Sequence, residues 1–256
     1  MQNRIDELFA RKQHGVLNIY CTAGFPELND TLPVMTALQN SGVDIIELGM
    51  PFSDPLADGP VIQDSSTRAL KNGMSIHKLF EQLQGFRYRI SVPVILMGYL
   101  NPVLCYGVEA FCKKCAETGI DGIILPDLPM AEFETEYKSI FEKYNLHFIF
   151  LVTPETGDAR IRQLDSLSKG FLYAVSSSST TGKDKDMKDQ RAYFERLRGL
   201  QLKNPVLIGF GIKDKATFDA AAAYANGAII GTAFVKALEN GQGIEDTVKK
   251  FVSSVR

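Results

Sequence analysis

The stretch Val43-Asp-Ile-Ile-Glu-Leu-Gly-Met-Pro-Phe-Ser-Asp-Pro-Leu-Ala-Asp-Gly-Pro60 reads as a strand, a loop and the start of a helix. Its first four residues are mostly apolar and β-branched, which is typical of a buried parallel strand, and Glu47 follows where we expect that strand to end. Pro51 and Pro55 restrict the loop, which closes at Asp58-Gly59-Pro60 before a helical pattern. The stretch therefore predicts one strand–helix unit that presents two carboxylates, Glu47 and Asp58.

The same unit recurs along the chain. Strands are predicted at Val16–Cys21, Asp44–Leu48, Val94–Tyr99, Gly122–Leu125, His147–Leu151, Phe171–Val175, Val206–Ile208 and Ala228–Ile230. Helical patterns include Asp30–Asn40, Val108–Thr118, Met130–Tyr144, Asp158–Ser168, Lys213–Ala225 and a tail at Ile244–Val255. Eight alternations, without an early Gly-rich dinucleotide fingerprint, favour a closed (β/α)8 barrel, the TIM barrel, over an open doubly wound sheet. We predict a single α/β barrel domain over residues 1–256, with an extra N-terminal helix.

Composition limits the possible partners. The chain has 256 residues, 45% of them hydrophobic, and a net charge of −2 without a basic stripe. Such a chain is expected to bind small molecules or proteins, not nucleic acid or a membrane. No apolar run approaches the roughly 18 residues of a membrane span and no signal peptide is apparent, so a cytoplasmic protein is expected. The four cysteines are expected to be reduced thiols, with Cys112 and Cys115 as core and surface positions of one helix.

The two carboxylates allow two interpretations. Glu47 and Asp58 are either an acid–base pair, or a salt-bridge partner and a turn former in a structural role. His14, His77 and His147 show no metal-ligand spacing, and no acidic residues group with them. We therefore expect no catalytic metal and no bound cofactor, and acid–base chemistry is the favoured interpretation.

Glycines after the last two strands indicate a phosphate site. Gly209-Phe-Gly211 follows the seventh predicted strand and Gly231-Thr232 the eighth, and barrels commonly hold phosphate at this corner. The Ser-rich stretch Ser176–Gly182 follows the sixth strand. It is either a plain surface loop or a mobile lid over the site, and its length favours the lid.

The motifs together resemble the tryptophan synthase alpha chain family. The resemblance rests on Glu47–Pro60 and on four shorter motifs in the family's order: Thr22-Ala-Gly-Phe-Pro26, Met97-Gly-Tyr-Leu-Asn-Pro102, Leu125-Pro-Asp-Leu-Pro129 and Gly209-Phe-Gly-Ile212. It extends from about Ile5 to about Lys236. It implies a lyase that cleaves indole-3-glycerol phosphate to indole and glyceraldehyde 3-phosphate in tryptophan biosynthesis.

The resemblance also implies roles for individual residues. Glu47 would be the catalytic proton shuttle, with a pKa raised by burial, and Asp58 would stay ionised and accept from the indole N–H. The substrate-binding residues would be Tyr173, near Glu47 or the glycerol chain, and Tyr20, Met97 and Phe210, around the indole ring. The phosphate-binding residues would be Gly182, Gly211, Gly231 and Thr232.

A partner is implied as well. It would be a beta chain that carries pyridoxal phosphate, in an alpha2-beta2 heterotetramer, with the loop Pro51–Pro55 at the contact. Ser177 and Ser179 stand where many members have arginine and glycine, so lid closure is expected to differ in detail. Two alternatives remain open: a phosphate-binding barrel that mainly activates a partner, and another barrel enzyme of phosphorylated intermediates.

Overall fold

The computed structural model describes residues 2–175, 187–209 and 211–256, with the backbone alone at 187–190. Its strands are β1 (Val16–Thr22), β2 (Ile45–Gly49), β3 (Val94–Met97), β4 (Gly122–Ile124), β5 (His147–Phe148), β6 (Leu151–Val152), β7 (Leu172–Val175), β8 (Val206–Gly209) and β9 (Gly227–Ile230). All their pairings are parallel, in the order β5-β4-β3-β2-β1-β9-β8-β7-β6. The predicted segments Ser176–Gly182 and Phe210 lie outside the described residues.

Helices follow the strands and cover the outside of the sheet. They are α1 (Arg4–Arg11), α2 (Thr31–Asn40), α3 (Pro60–Lys71), α4 (Ile76–Gln82), α5 (Leu100–Tyr106), α6 (Val108–Thr118), α7 (Met130–Glu132), α8 (Lys138–Lys143), α9 (Asp158–Leu167), α10 (Met187–Gly199), α11 (Lys215–Ala222), α12 (Thr232–Asn240) and α13 (Ile244–Val255). Short 3-10 turns lie at Leu28–Asp30 and Phe86–Tyr88, and a π turn at Phe133–Tyr137 joins α7 to α8.

The barrel closes through one extended segment, residues 147–152. Its first half, β5, pairs with β4, and its second half, β6, pairs with β7. Between them the Ile149 N–H donates to the Ile123 carbonyl and the Phe150 carbonyl accepts from the Tyr173 N–H, both at 3.0 Å. Residues 147–152 thus serve as the single strand predicted at His147–Leu151, hydrogen-bonded to β4 on one side and to β7 on the other, so that β5 and β6 together are the fifth of eight barrel strands.

The strands are buried on both faces and are mostly apolar. Every residue of β1 is buried, as expected for a parallel strand that lies between a filled barrel and a layer of helices. The N-terminal helix α1 covers the barrel end at which the strands begin: Ile5 and Leu8 are buried and Phe9 contacts Phe171 at 6.2 Å between ring centroids. The predicted (β/α)8 barrel with an extra N-terminal helix is confirmed.

Several predicted boundaries differ from the structure by one or two residues. The second strand extends to Gly49, so Glu47 lies inside β2 and not at its end. The third strand ends at Met97, and the chain continues into α5. Cys112 and Cys115 are both buried in α6, so neither is the surface position that the sequence predicted. The cysteines are free, as expected.

Candidate active site

Glu47 is a buried carboxyl on the barrel wall. It pairs in register with Tyr20 of β1 and Ile95 of β3, and its side chain is only 1% exposed. Its Oε2 accepts a hydrogen bond of 2.9 Å from Nδ2 of Asn18. Burial raises the pKa of Glu47 to about 8, the Asn18 hydrogen bond opposes this rise, and the negative charge of Asp58 adds to it. The raised pKa that the sequence predicted for Glu47 is confirmed.

Asp58 lies on the loop between β2 and α3. Its N–H donates to the Pro55 carbonyl at 3.0 Å in a turn, and Gly59 caps the helix that Pro60 begins. The Tyr99 hydroxyl donates to Asp58 Oδ2 at 2.9 Å and accepts from the Ala57 N–H at 3.0 Å. Tyr99 therefore fixes both the loop backbone and the carboxylate that the loop presents.

The environment of Asp58 differs from that of Glu47. Burial raises the pKa of Asp58 to about 6, and the Tyr99 hydrogen bond limits this rise. The sequence predicted that Asp58 stays ionised, which holds at neutral pH, but it did not predict a raised pKa. Near pH 7 the two groups therefore differ, with Glu47 mainly protonated and Asp58 mainly ionised.

Two buried tyrosines interact with the charge of Glu47. Tyr20 lies on β1 and Tyr173 on β7, and both are nearly buried. Each extends over a glycine of the neighbouring strand, Gly49 for Tyr20 and Gly209 for Tyr173, where any Cβ would overlap the tyrosine hydroxyl. Burial, followed by the charge of Glu47, raises the pKa of Tyr173 well above its ordinary value. Both tyrosines therefore stay protonated and available as donors.

The other residues predicted to bind the indole ring are placed in part. Met97 ends β3, next to Gly49 in the β2–β3 register, and is 8% exposed. Tyr20 and Met97 thus lie on strands that flank β2, one on each side of Glu47. Phe210 lies outside the described residues.

The predicted phosphate corner is built from backbone. The strands β8 and β9 are paired, so the residues that follow them emerge side by side. Gly211 has a φ of +78°, which favours glycine, and Gly231 precedes α12, whose first residue is Thr232. No side chain of the described residues caps α12, so its first N–H groups can serve another acceptor. Gly182, the remaining residue predicted for this corner, lies outside the described residues.

The sequence did not single out Asn18 and Tyr99. Asn18 had a signal, since it is an amide inside the otherwise apolar run Val16–Cys21. Tyr99 lies in the quoted motif Met97–Pro102, but nothing in its spacing indicates a contact with Asp58, 41 residues away.

In the described part of the chain, no group of three or more His, Cys, Asp or Glu side chains is placed to hold a metal ion. Over the same residues, no helix is both long and apolar enough to cross a membrane.

The fold and the site define a class of protein: a (β/α)8 barrel enzyme with two carboxyls of unlike pKa near the carboxyl ends of its strands. The family model of the tryptophan synthase alpha chain matches residues 7–256. The chain belongs to this family. The resemblance in the sequence is thereby confirmed, together with the lyase activity on indole-3-glycerol phosphate that it implied.

Similar proteins and structures support this placement. The tryptophan synthase alpha chain of Christiangramia forsetii is 56% identical, over 99% of this chain and 98% of that protein. The alpha chain of Flavobacterium johnsoniae is 55% identical, over 99% of this chain and 100% of that protein. Tryptophan synthase subunit alpha from Legionella pneumophila superposes with a TM-score of 0.90 at 33% identity, over 100% of this chain and 97% of that one. A chain of tryptophan synthase from M. tuberculosis in its aminoacrylate-bound form superposes with a TM-score of 0.86 at 31% identity, over 99% of this chain and 100% of that one.

Proposed function

We propose that Glu47 and Asp58 together carry out the cleavage of indole-3-glycerol phosphate to indole and glyceraldehyde 3-phosphate. The observation that carries this assignment is the difference between the two carboxyls, with pKa values of about 8 and about 6. A reaction that needs one acid and one fixed negative charge at neutral pH is matched by this pair.

Proton movement in the reaction explains why the acid must be buried. The protonated Glu47 gives its proton to indole C3, which leaves a cationic indolenine. The carboxylate then takes the proton of the side-chain hydroxyl as the bond to C3 breaks, so an aldehyde and indole form and Glu47 recovers its proton. A carboxyl of ordinary pKa would hold too little proton at pH 7 to begin this cycle.

Asp58 supplies charge and not protons in this proposal. Its carboxylate accepts a hydrogen bond from the indole N–H and stabilises the positive charge that develops on the ring. Tyr99 holds Oδ2 of Asp58, so the carboxylate is oriented before substrate binds. A fixed charge of this kind costs little reorganisation during the reaction.

The remaining residues bind the two ends of the substrate. We propose that Tyr20, Met97 and Phe210 contact the flat indole ring, and that Tyr173 donates to the glycerol chain or to Glu47. The phosphate is held by the N–H groups of Gly211, Gly231 and Gly182, with the Thr232 hydroxyl as a further donor. The uncapped start of α12 supports this corner, because a helix N-terminus favours an anion.

The assembly is proposed from the family. The chain would act in the cytoplasm as a single barrel domain, residues 1–256, within an alpha2-beta2 complex. Pyridoxal phosphate would belong to the beta chain, and this chain would hold no cofactor of its own. The loop Pro51–Pro55 would contact the beta chain; Ser53 and Asp54 are exposed there, and the neighbouring Leu56 is 87% exposed.

The test is release of indole from indole-3-glycerol phosphate by the purified chain, alone and with a cognate beta chain added. Indole that forms faster with the partner supports both the site and the complex. Folded chain that releases no indole in either condition would contradict the proposal. Gly211→Asp tests the phosphate corner separately, since it adds a negative charge where the phosphate would lie, and unchanged substrate affinity would contradict that corner.

A further inference from the structure

Asn18 places an amide against the buried Glu47. It lies on β1 with none of its surface exposed, and its Nδ2 donates to Glu47 Oε2 at 2.9 Å. Its Oδ1 is also buried and has no hydrogen-bond partner among the described residues. Buried amide oxygens are rarely left without a donor, so this free acceptor beside a titrating carboxyl needs an explanation.

Asn18 differs in kind from the other groups that interact with Glu47, because it is a neutral amide that donates a hydrogen bond to the carboxyl. The charge of Glu47 also interacts with four acidic groups: Tyr20 and Cys21 on β1, Tyr173 on β7 and Asp58 on the loop. None of these four groups carries a positive charge that would stabilise the Glu47 carboxylate. Burial and Asp58 raise the pKa of Glu47, and Asn18 is the group that lowers it. Asn18 thus controls how well the ionised form is tolerated.

A carboxyl that shuttles a proton offers its neighbour different hydrogen-bonding groups in its two protonation states. The carboxylate can only accept hydrogen bonds, whereas the protonated acid must also place one O–H. A side-chain amide has one donor end and one acceptor end, and rotation about its last torsion exchanges them, since that torsion is broad and nearly two-fold. An apolar residue at this position would serve neither form.

We propose that Asn18 is a positioning residue for the proton shuttle, whose amide holds Glu47 in both protonation states: Nδ2 donates to the carboxylate, and Oδ1 accepts from the protonated acid. The proposal rests on the role of Glu47 proposed above. The unpartnered Oδ1 is then the acceptor that the protonated state uses. Glu47 can give and recover its proton while the same neighbour keeps its carboxyl aimed at the substrate.

The test compares substitutions at Asn18 in the full chain with its beta chain. Asn18→Leu keeps the branching at Cγ and removes both ends of the amide, whereas Asn18→Thr keeps a group that both donates and accepts. We expect Asn18→Leu to lower kcat for indole release by about tenfold, with KM within about twofold, because a general acid–base group loses its orientation. The upper limb of the pH–rate profile should move to higher pH, and Asn18→Thr should recover most of kcat. Ile19→Val, on the opposite face of β1, is the matched control and should change neither.

Each outcome of these experiments either supports or overturns the proposed role of Asn18. If folded Asn18→Leu has the kcat and the upper limb of the unsubstituted chain, the proposal is wrong. If kcat falls but the limb stays in place, Asn18 is a packing residue only and the proposal is also wrong. Should Asn18→Leu fail to fold, infrared difference spectra of the unsubstituted chain across the Glu47 titration replace it: a side-chain amide carbonyl band that moves with the carboxyl band supports the exchange, and a fixed band overturns it. Glu47→Gln in the same series separates the two proposals, since substantial turnover there would overturn the role of Glu47 itself.

Discussion

Two buried carboxyls of the barrel, one inside β2 and one just before β4, show how the same chemical group can be suited to chemistry or to structure. Glu47 is 1% exposed and Asp121, next to the start of β4, is 2% exposed. Asp121 accepts from Arg4 at 2.9 Å, from Arg87, and from the Val94 N–H at 2.8 Å. Glu47 accepts from one neutral amide and lies near the negative charge of Asp58.

The difference shows that burial alone does not identify a catalytic carboxyl. Two guanidinium groups and a backbone donor compensate the charge of Asp121, so its network joins α1, the turn before β3 and the start of β4. Within residues 2–175, 187–209 and 211–256, no cation pairs with Glu47, and the pKa of this carboxyl moves into the range in which an enzyme can use its proton. The partners of a buried carboxyl, and not its depth, therefore indicate its role.

The largest effect is expected from Glu47→Gln. Turnover should fall by about a thousandfold with KM changed little, since size and hydrogen bonding persist but the proton is lost. The same change should stabilise the fold at high pH. The folded-state pKa is above its ordinary value of 4.5, so the stability of the unsubstituted chain falls as pH rises toward about 8, and glutamine avoids this loss.

Two measurements check this prediction. Indole release reports turnover, and urea unfolding at pH 9 should show a gain of a few kcal/mol, at about 1.36 kcal/mol per unit of pKa difference. Turnover near that of the unsubstituted chain would remove Glu47 from the mechanism. Equal free energies of unfolding for the two chains at pH 9 would contradict a Glu47 carboxylate that is buried without a compensating positive charge.

Asp121→Asn is the matched change at the carboxyl that precedes β4. It leaves Arg4 and Arg87 facing a neutral amide, and loss of one member of a buried ion pair typically costs about 3 kcal/mol or more. The free energy of unfolding, measured in urea at pH 7, should fall by about that amount, whereas kcat of the folded chain should change less than twofold. A large loss of kcat in folded protein would show that the two carboxyls are not separated in role.

The sequence predicted the Glu47 half of this comparison better than the Asp121 half. Alternating strands and helices gave the barrel, and the apolar run before Glu47 indicated its burial, because both depend on local patterns. The Asp121 network joins residues more than a hundred positions apart, such as Arg4 and Asp121, and depends on how α1 crosses the barrel end. The contact of Tyr99 with Asp58 was missed for the same reason, since it needs the closed three-dimensional arrangement.

The pH dependence of kcat/KM should reflect Glu47 and Asp58 if they are the acid and the fixed charge that we propose. Asp58 must be ionised, so the rate should fall as pH drops through about 6, and Glu47 must begin protonated, so the rate should fall as pH rises through about 8. Each limb should approach about tenfold per pH unit. A rate that is flat between pH 5 and pH 9, with the chain folded throughout, would contradict the assignment.

A smaller effect is expected from Tyr99→Phe. The Tyr99 hydrogen bond limits the rise in the pKa of Asp58, so its removal should move the lower limb of the pH profile to higher pH. At pH 6.5 the rate should fall by about threefold to tenfold, because a hydrogen bond to a charged group is worth about 1.5–3 kcal/mol before solvent and relaxation reduce it. Tyr88→Phe, at a side chain that is 96% exposed, is the control. An unmoved lower limb would show that Tyr99 only fixes the loop.

The smallest effect is expected from Thr232→Ala. The proposed phosphate corner differs from the Glu47 site because its donors would be mainly backbone N–H groups at the exposed start of α12, with a single hydroxyl from Thr232. Loss of one such hydrogen bond is worth about 1 kcal/mol, so KM should rise by about fivefold with kcat unchanged, and Thr232→Ser should restore it. Since no buried titrating group is involved, the rise in KM should be the same at pH 7 and pH 8. A fall in kcat with constant KM would place Thr232 in the chemistry instead of in substrate binding.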